Sequence, residues 1–388
     1  MQENPRSIFL RIQSYARGVF SSQLRLDTLD KKDTTILKAL AIVAIVFHNF
    51  FHIAVNVREN EFDFKPERFG VFLRTVVHPS LTIQSLFAFY GHYGVQIFIF
   101  LSAYGLAKTH WDDPSSWHSF MWSRVKKLYP MFLLVIAFWA ALAAIHVGAL
   151  WVIRDAAPHL ILMLAGVSTI APRIGLPPVG PWWFIPFIMQ AYALFPALRR
   201  LTQRFGWPSL VVLSFACYYV THLANPILAH WTINLSMTPI GRMRMLCLGI
   251  IAARYPFRIR YYMALPAFAV LILGGKYFAF AHFSSLAAVI ASLWLYSKFR
   301  PLLRQSHTLE KIGTYSLGIF LVNGIVRVPF IYFAHTADLQ LTLAVASAAV
   351  TVAISSFFHY LLTPAFKTEK ATSQHALWVP EAAGSSSE

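Results

Sequence analysis

Between Thr34 and Thr363 the chain is a succession of apolar runs, each close to the ~20 residues that carry a helix across a bilayer. No other feature limits the fold as strongly. A backbone in lipid must satisfy its own hydrogen bonds, so such runs become helices packed against one another. Of the 388 residues 57% are hydrophobic and 13% are charged, against about 25% charged in a soluble domain. The expected fold is therefore all-α: a polytopic transmembrane helix bundle forming one membrane domain.

Ten spans are expected, at 34–57, 90–108, 125–149, 180–199, 207–225, 236–254, 261–276, 277–298, 310–333 and 339–364. The segment 151–179 holds Arg154, His159, Pro158, Pro172, Pro177 and Pro178. It reads as an outer loop that partly re-enters, rather than as an eleventh short span, because irregular backbone at membrane depth is tolerated at a cavity. Residues 1–33 form a basic cytoplasmic segment, in which 5–24 is an interfacial helix or a disordered basic tail. The first 33 residues are too polar for a cleaved signal, so the first span is expected to stay as an anchor. Residues 365–388 read as a disordered cytoplasmic tail. Cys217 and Cys247 lie in apolar runs, and no disulfide is expected.

Charge orients the spans. With the N-terminus inside, 22 of the 33 Lys and Arg residues fall on inner segments and seven on outer ones; Lys38, Arg242, Arg244 and Arg327 fall within spans. Basic residues collect on the cytoplasmic side, so both termini are expected in the cytoplasm of a multi-pass protein of the inner membrane. The formal charge of +17 is then met by anionic membrane lipid, with no nucleic acid as partner. The chain has no Walker loop and no dinucleotide fingerprint, which argues against nucleotide hydrolysis.

An ionisable side chain inside a span is costly and marks a functional candidate. His48 is the first, with His52 one turn later. No third ligand is evident for a metal, and none is expected. Five other stretches stand out: GVQIFIFLSAYG at 94–105, RVKKLYP at 124–130, WFIPFIMQAYALFP at 183–196, RMRMLCLG at 242–249 and IGTYSLGIFLVN at 312–323. Arg242 and Arg327 lie at similar depths from the outer side, with Asn323 one turn from Arg327 on the same helix face. Arg244 reads as an arginine that snorkels to the interface. Two arginine forks with Trp183 as a stacking floor suit a sugar with many hydroxyls.

Taken together, in this order and on these sides of the membrane, His48 and the five stretches resemble the acyltransferase-3 family of integral-membrane acyltransferases. The chain departs from the family pattern in places. Lys38 stands one residue from the usual basic position, Ala103 and Gln96 replace a glycine and an aspartate, Lys127 replaces an arginine, Ile188 a glutamate and Asn323 a histidine. The resemblance implies an O-acetyltransferase that moves acetyl from acetyl-coenzyme A to a hydroxyl of an exported or lipid-linked polysaccharide, beside polysaccharide export machinery. It makes His48 the catalytic base or acetyl carrier. It assigns Arg124, Lys127, Tyr129 and Lys38 to the donor, and Arg242, Trp183, Gln190 and Tyr192 to the acceptor, which Arg327 and Asn323 join by position. The rival expectation is a transporter or flippase for a lipid-linked sugar, which would also want intramembrane arginines and aromatics.

Overall fold

The computed structural model describes residues 24–60, 62–171, 173 and 177–376, with side chains to residue 363. The expected interfacial segment at 5–24 lies, but for Leu24, outside the described residues, as do residues 377–388. Among the described residues the regular structure is helical apart from a two-residue antiparallel pair, Leu24–Arg25 with Arg258–Ile259.

Helix α1 (Lys31–Ala54) opens on a reciprocal cap: the Asp33 N–H donates to Asp30 and the Asp30 N–H to Asp33, which satisfies two otherwise unpaired amides. The Asp33 carboxylate is fully buried and also accepts from Arg300 at 2.6 Å, from Arg304 at 2.7 Å and from Tyr296 at 2.7 Å. The start of α1 is thereby locked to the end of a distant helix. Next come α2 (Pro66–Val76), α3 (Thr82–Tyr90) and α4 (Gly94–Thr109), the last two joined by a 3₁₀ turn, Gly91–Tyr93. The second expected span therefore starts earlier than 90, since α3 and α4 together form one run over Thr82–Thr109.

Helix α5 (Trp117–Val147) is followed by a bent helical segment, Ala149–Trp151 and a π turn Val152–Ala156, leading into α6 (Ala157–Leu164). The Tyr129 hydroxyl donates to the Leu164 carbonyl. Tyr129 lies 12 residues into α5, about 18 Å from its start, so the chain has run back down α5 by Leu164. It then returns, because the Arg173 N–H donates to the Trp231 carbonyl at the far end of α8. Residues 149–171 thus form a re-entrant segment that doubles back along α5.

The remaining helices are α7 (Phe184–Phe205), α8 (Trp207–Leu228), α9 (Met243–Arg254), α10 (Tyr261–Lys276), α11 (Phe278–Leu303), α12 (His307–Thr314), α13 (Ser316–Tyr332) and α14 (Ala337–Ala376). Each of the ten expected segments carries a helix. Six helical runs among the described residues are long and apolar enough to cross a membrane, and α12 with α13 makes a seventh if a pair bent by 74° is one span. Helices α7, α9 and α10 are too short or too polar for that test, and α12 is a polar turn folded against the start of α1. Helix α14 runs on to Ala376, past the boundary expected at 364.

Helix ends gather in two places. At one, Lys108 and Tyr104 donate to carbonyls of 26–29, Arg199 donates to the His110 carbonyl, and Arg300 and Arg304 meet Asp33. We call this the basic end. At the other, Gln340 donates to the Ala54 carbonyl and Gln84 to that of Ala337. Between them the flank is apolar and exposed. In α8 only Leu210 is buried, while Val212, Phe215, Val220, Leu223 and Ile227 are all exposed. Apolar surface on that scale belongs against lipid.

Candidate active site

His48 and His52 stack face to face on α1, ring centroids 4.8 Å apart. The Nδ1 of His48 lies 3.1 Å from the Ala88 carbonyl and 3.3 Å from that of Phe87. A carbonyl only accepts, so Nδ1 carries the hydrogen and Nε2 keeps the lone pair. His52 does the same toward the His48 carbonyl at 2.9 Å. Each ring is held in the tautomer that leaves a basic Nε2.

The 3₁₀ turn brings a third histidine that the sequence reading missed. A Cβ on Gly91 would lie 2.6 Å from the Ala44 carbonyl oxygen and 2.7 Å from the His48 Cβ, and one on Gly94 would lie 2.5 Å from the Ala41 carbonyl oxygen. Only glycine lets the turn lie this close against α1. His92, between them, sits with its ring 5.4 Å from that of His48. It is buried, and its Nδ1 has no hydrogen-bond partner among the described residues. The available signal was the pair of glycines three residues apart enclosing a histidine.

His92 also lines a cavity of about 260 Å³ that lies away from the basic end, together with Tyr93, Arg242, Arg244, Asp63 and Glu59. The Arg242 Nε donates to the Ser236 carbonyl at 2.8 Å, and its guanidinium lies 5.8 Å from the ring centres of both Trp183 and Phe62. Trp183 stands edge-on to Phe62 at 5.2 Å. Arg242 is therefore held at the cavity wall with Trp183 behind it. Burial works to raise the Asp63 carboxyl, but hydrogen bonds from Arg68, its charge, and hydrogen bonds from Asn60 and Lys65 together outweigh it and hold Asp63 below the usual carboxylate range. Arg244 does not snorkel outward: it lines the cavity, donates to the His282 carbonyl and lies over Tyr218.

The other expected acceptor residues are elsewhere. The Arg327 guanidinium donates to the Asn49 carbonyl on α1 and is not part of the cavity wall. Asn323 is 1% exposed, and neither end of its amide has a partner among the described residues. Gln190 donates to the Gly166 carbonyl at 2.8 Å and to Thr169 at 2.9 Å, which pins the re-entrant segment. Tyr192 is on the same helix, nearer the basic end, within electrostatic reach of Arg124.

The residues expected to hold the donor divide as well. Lys38 on α1 lies within electrostatic reach of Lys127 on α5 and of Lys31, and Lys127 within reach of Arg124 and Lys31, so these cations group toward the basic end. Tyr129, hydrogen-bonded to Leu164, braces the re-entrant segment instead. Among the described residues no group of three His, Cys, Asp or Glu side chains could hold a metal ion.

No curated protein and no solved structure matches the chain. A family profile does. The acyltransferase domain Acyl_transf_3 matches residues 32–360, a stretch running from the start of α1, through the histidines and both arginines of the cavity, into α14. With most of its length matched, the chain belongs to this family as a multi-pass membrane acyltransferase.

Proposed function

We propose that the protein is an O-acetyltransferase of the inner membrane, with ten spans and both termini in the cytoplasm. It takes acetyl from acetyl-coenzyme A on the cytoplasmic side and delivers it to a sugar hydroxyl of an exported or lipid-linked polysaccharide. The observation that carries this reading is the histidine pair His48–His92, both rings buried, one on α1 and the other lining the cavity of Arg242. Nothing favours the transporter reading.

The donor's phosphates belong with Arg124, Lys127 and Lys38, since arginine pairs bidentately with phosphate and lysine acts as a point charge. Lys38 lies ten residues below His48, about 15 Å along α1, a distance that the pantetheine arm has to cover. The acceptor belongs in the cavity with Arg242, backed by Trp183. In the reaction the acceptor oxygen attacks the thioester carbonyl carbon while its proton passes to a histidine Nε2. The carbon–sulfur bond then breaks, and the departing sulfur takes that proton. Histidine suits both transfers because its ordinary pKa is close to neutral. His48 is the base in this scheme, and His92, at the cavity wall, orients the hydroxyl toward it.

The test is mass analysis of the surface glycan from cells with and without the protein. One acetyl group per acceptor sugar should be missing without it. An unchanged glycan mass refutes the reading. An acetylated His48 peptide trapped from the purified protein would replace direct transfer by a covalent route.

A further inference from the structure

A second cavity, of about 330 Å³, opens at the basic end, between the 110–116 turn, the first turn of α5 and the latter half of α7. The reaction as written leaves it without a role. Its walls combine three chemistries.

The first is a set of flat rings. The Trp117 Nε1–H donates to the Ala193 carbonyl at 3.1 Å, which fixes the indole against α7. Phe120 stacks with Phe195 at 6.0 Å and meets His110 edge-on at 5.5 Å. The second is cationic. Arg199 uses Nη1 on the carbonyls of His110 and Asp113, at 2.8 and 2.9 Å, and keeps a buried Nε with no acceptor among the described residues. Arg200 lines the same cavity, is exposed, and makes no hydrogen bond among the described residues. The third is an acceptor: the Asp113 carboxylate takes the Ser115 N–H, at 2.9 Å, and a hydrogen bond from the Ser115 side chain. Those hydrogen bonds hold Asp113 below the usual carboxylate range, so it is ionised at neutral pH.

The cavity meets the expected donor residues through one side chain. The Arg124 guanidinium lies 5.3 Å from the Phe120 ring centre and donates to Nε2 of His110 at 3.0 Å. Burial, and then the Arg124 charge, keep His110 below the usual histidine range, consistent with a neutral ring accepting that bond. Arg124 thus stands between the cavity and Lys127, which feels its charge.

A purine offers a face for stacking and an amino group that donates. A phosphate monoester asks for arginine. We propose that this cavity is the nucleotide subsite of the acyl donor: it takes the adenosine end of coenzyme A, base against the exposed Trp117 indole, which Phe120 and Phe195 back, 3′-phosphate on Arg199 and Arg200. The Asp113 carboxylate repels a phosphate, so it faces the amino group and fixes which way round the nucleotide lies. The diphosphate then falls at Arg124, and the pantetheine arm runs on past Lys38. The volume suits a ligand part of this size, at the lower end of the ~300–1,000 Å³ of small-molecule sites. The proposal rests on the donor reading given under Proposed function.

The experiment titrates the full-length protein in lipid nanodiscs with coenzyme A and with dephospho-coenzyme A, which differ only by the 3′-phosphate. The wild type should bind coenzyme A about tenfold more tightly or better, as a charge-assisted contact to one phosphate implies. Arg200→Gln, at an exposed side chain, should cut that ratio about threefold or more by weakening coenzyme A alone, with Arg199 keeping the remainder. Trp117→Ala should weaken both alike. Arg124→Gln should also weaken both, because the diphosphate is common to them. Equal binding of the two ligands by the wild type, or a wild-type ratio in Arg200→Gln, overturns the subsite and leaves the donor reading standing. No binding of either ligand by the wild type overturns both.

Discussion

Replacing Gly91 with alanine tests whether the approach of the 3₁₀ turn to α1 sets the active geometry. The added Cβ would stand 2.6 Å from the Ala44 carbonyl oxygen and 2.7 Å from the His48 Cβ, whereas ordinary contact begins at 3.4 Å. The turn must withdraw by roughly 0.7–0.8 Å, because the obstacle includes the backbone of a long helix. Overpacking of this kind costs about 1–3 kcal/mol. His92 moves with the turn, and a displacement near 1 Å at a reacting group costs about 10²-fold in rate. Turnover of Gly91→Ala in nanodiscs should therefore fall about 10- to 100-fold, with a lower melting temperature. Gly105→Ala is the control: its Cβ meets nothing within 4 Å, and alanine is favoured over glycine in a helix by up to about 1 kcal/mol. It should be at least as stable as the wild type and equally active. His92→Gln should lose turnover while melting normally, which separates misplacement from unfolding. Initial rates of Gly91→Ala within twofold of wild type would refute the reasoning.

Three further tests address the rest of the site. His48→Ala should cut transfer by about 10²–10⁴-fold, as loss of a positioned base does, and His52→Ala far less; normal initial rates in His48→Ala would end its role. Arg242→Ala should lower transfer to the acceptor and leave coenzyme A affinity unchanged in the same titration, whereas equal loss of donor binding would remove Arg242 from the acceptor site. Asp33→Asn strips the charge that Arg300 and Arg304 share; both arginines are about one-third exposed, so the cost is nearer about 1–3 kcal/mol than that of a fully buried pair, and it should show as a lower melting temperature.

Topology is tested by single cysteines at Ser80 and Gln305 in a background lacking Cys217 and Cys247. The first should label from outside the cell and the second only after permeabilisation. The reverse pattern would invert the bundle.

Much of this architecture is legible in the sequence, for one reason: lipid imposes a single length and polarity rule on every spanning segment. The apolar runs, the basic loops between them and the costly His48 all follow from it. Helix periodicity also places residues correctly on a face, as with Asn323 and Arg327. What periodicity omits is which neighbour that face meets. Arg327 has the right depth for an outer cavity, yet its face packs on α1, and its guanidinium is spent on the Asn49 carbonyl. Gln190 has the right register, yet the returning chain at 166–169 takes its amide. Arg244 looked like an interfacial anchor until α10 and α11 closed a cavity around it. The bend between α12 and α13 is likewise invisible in hydropathy, which averages over both. His92 shows the distinction most sharply. Nothing in its local sequence demands chemistry. It gains a role because two glycines allow a turn to approach α1 at Ala41 and Ala44, more than forty residues away in the chain. Residue type, span and side of the membrane are local properties of a helix in lipid. Which polar groups share a cavity is decided by packing between helices distant in sequence.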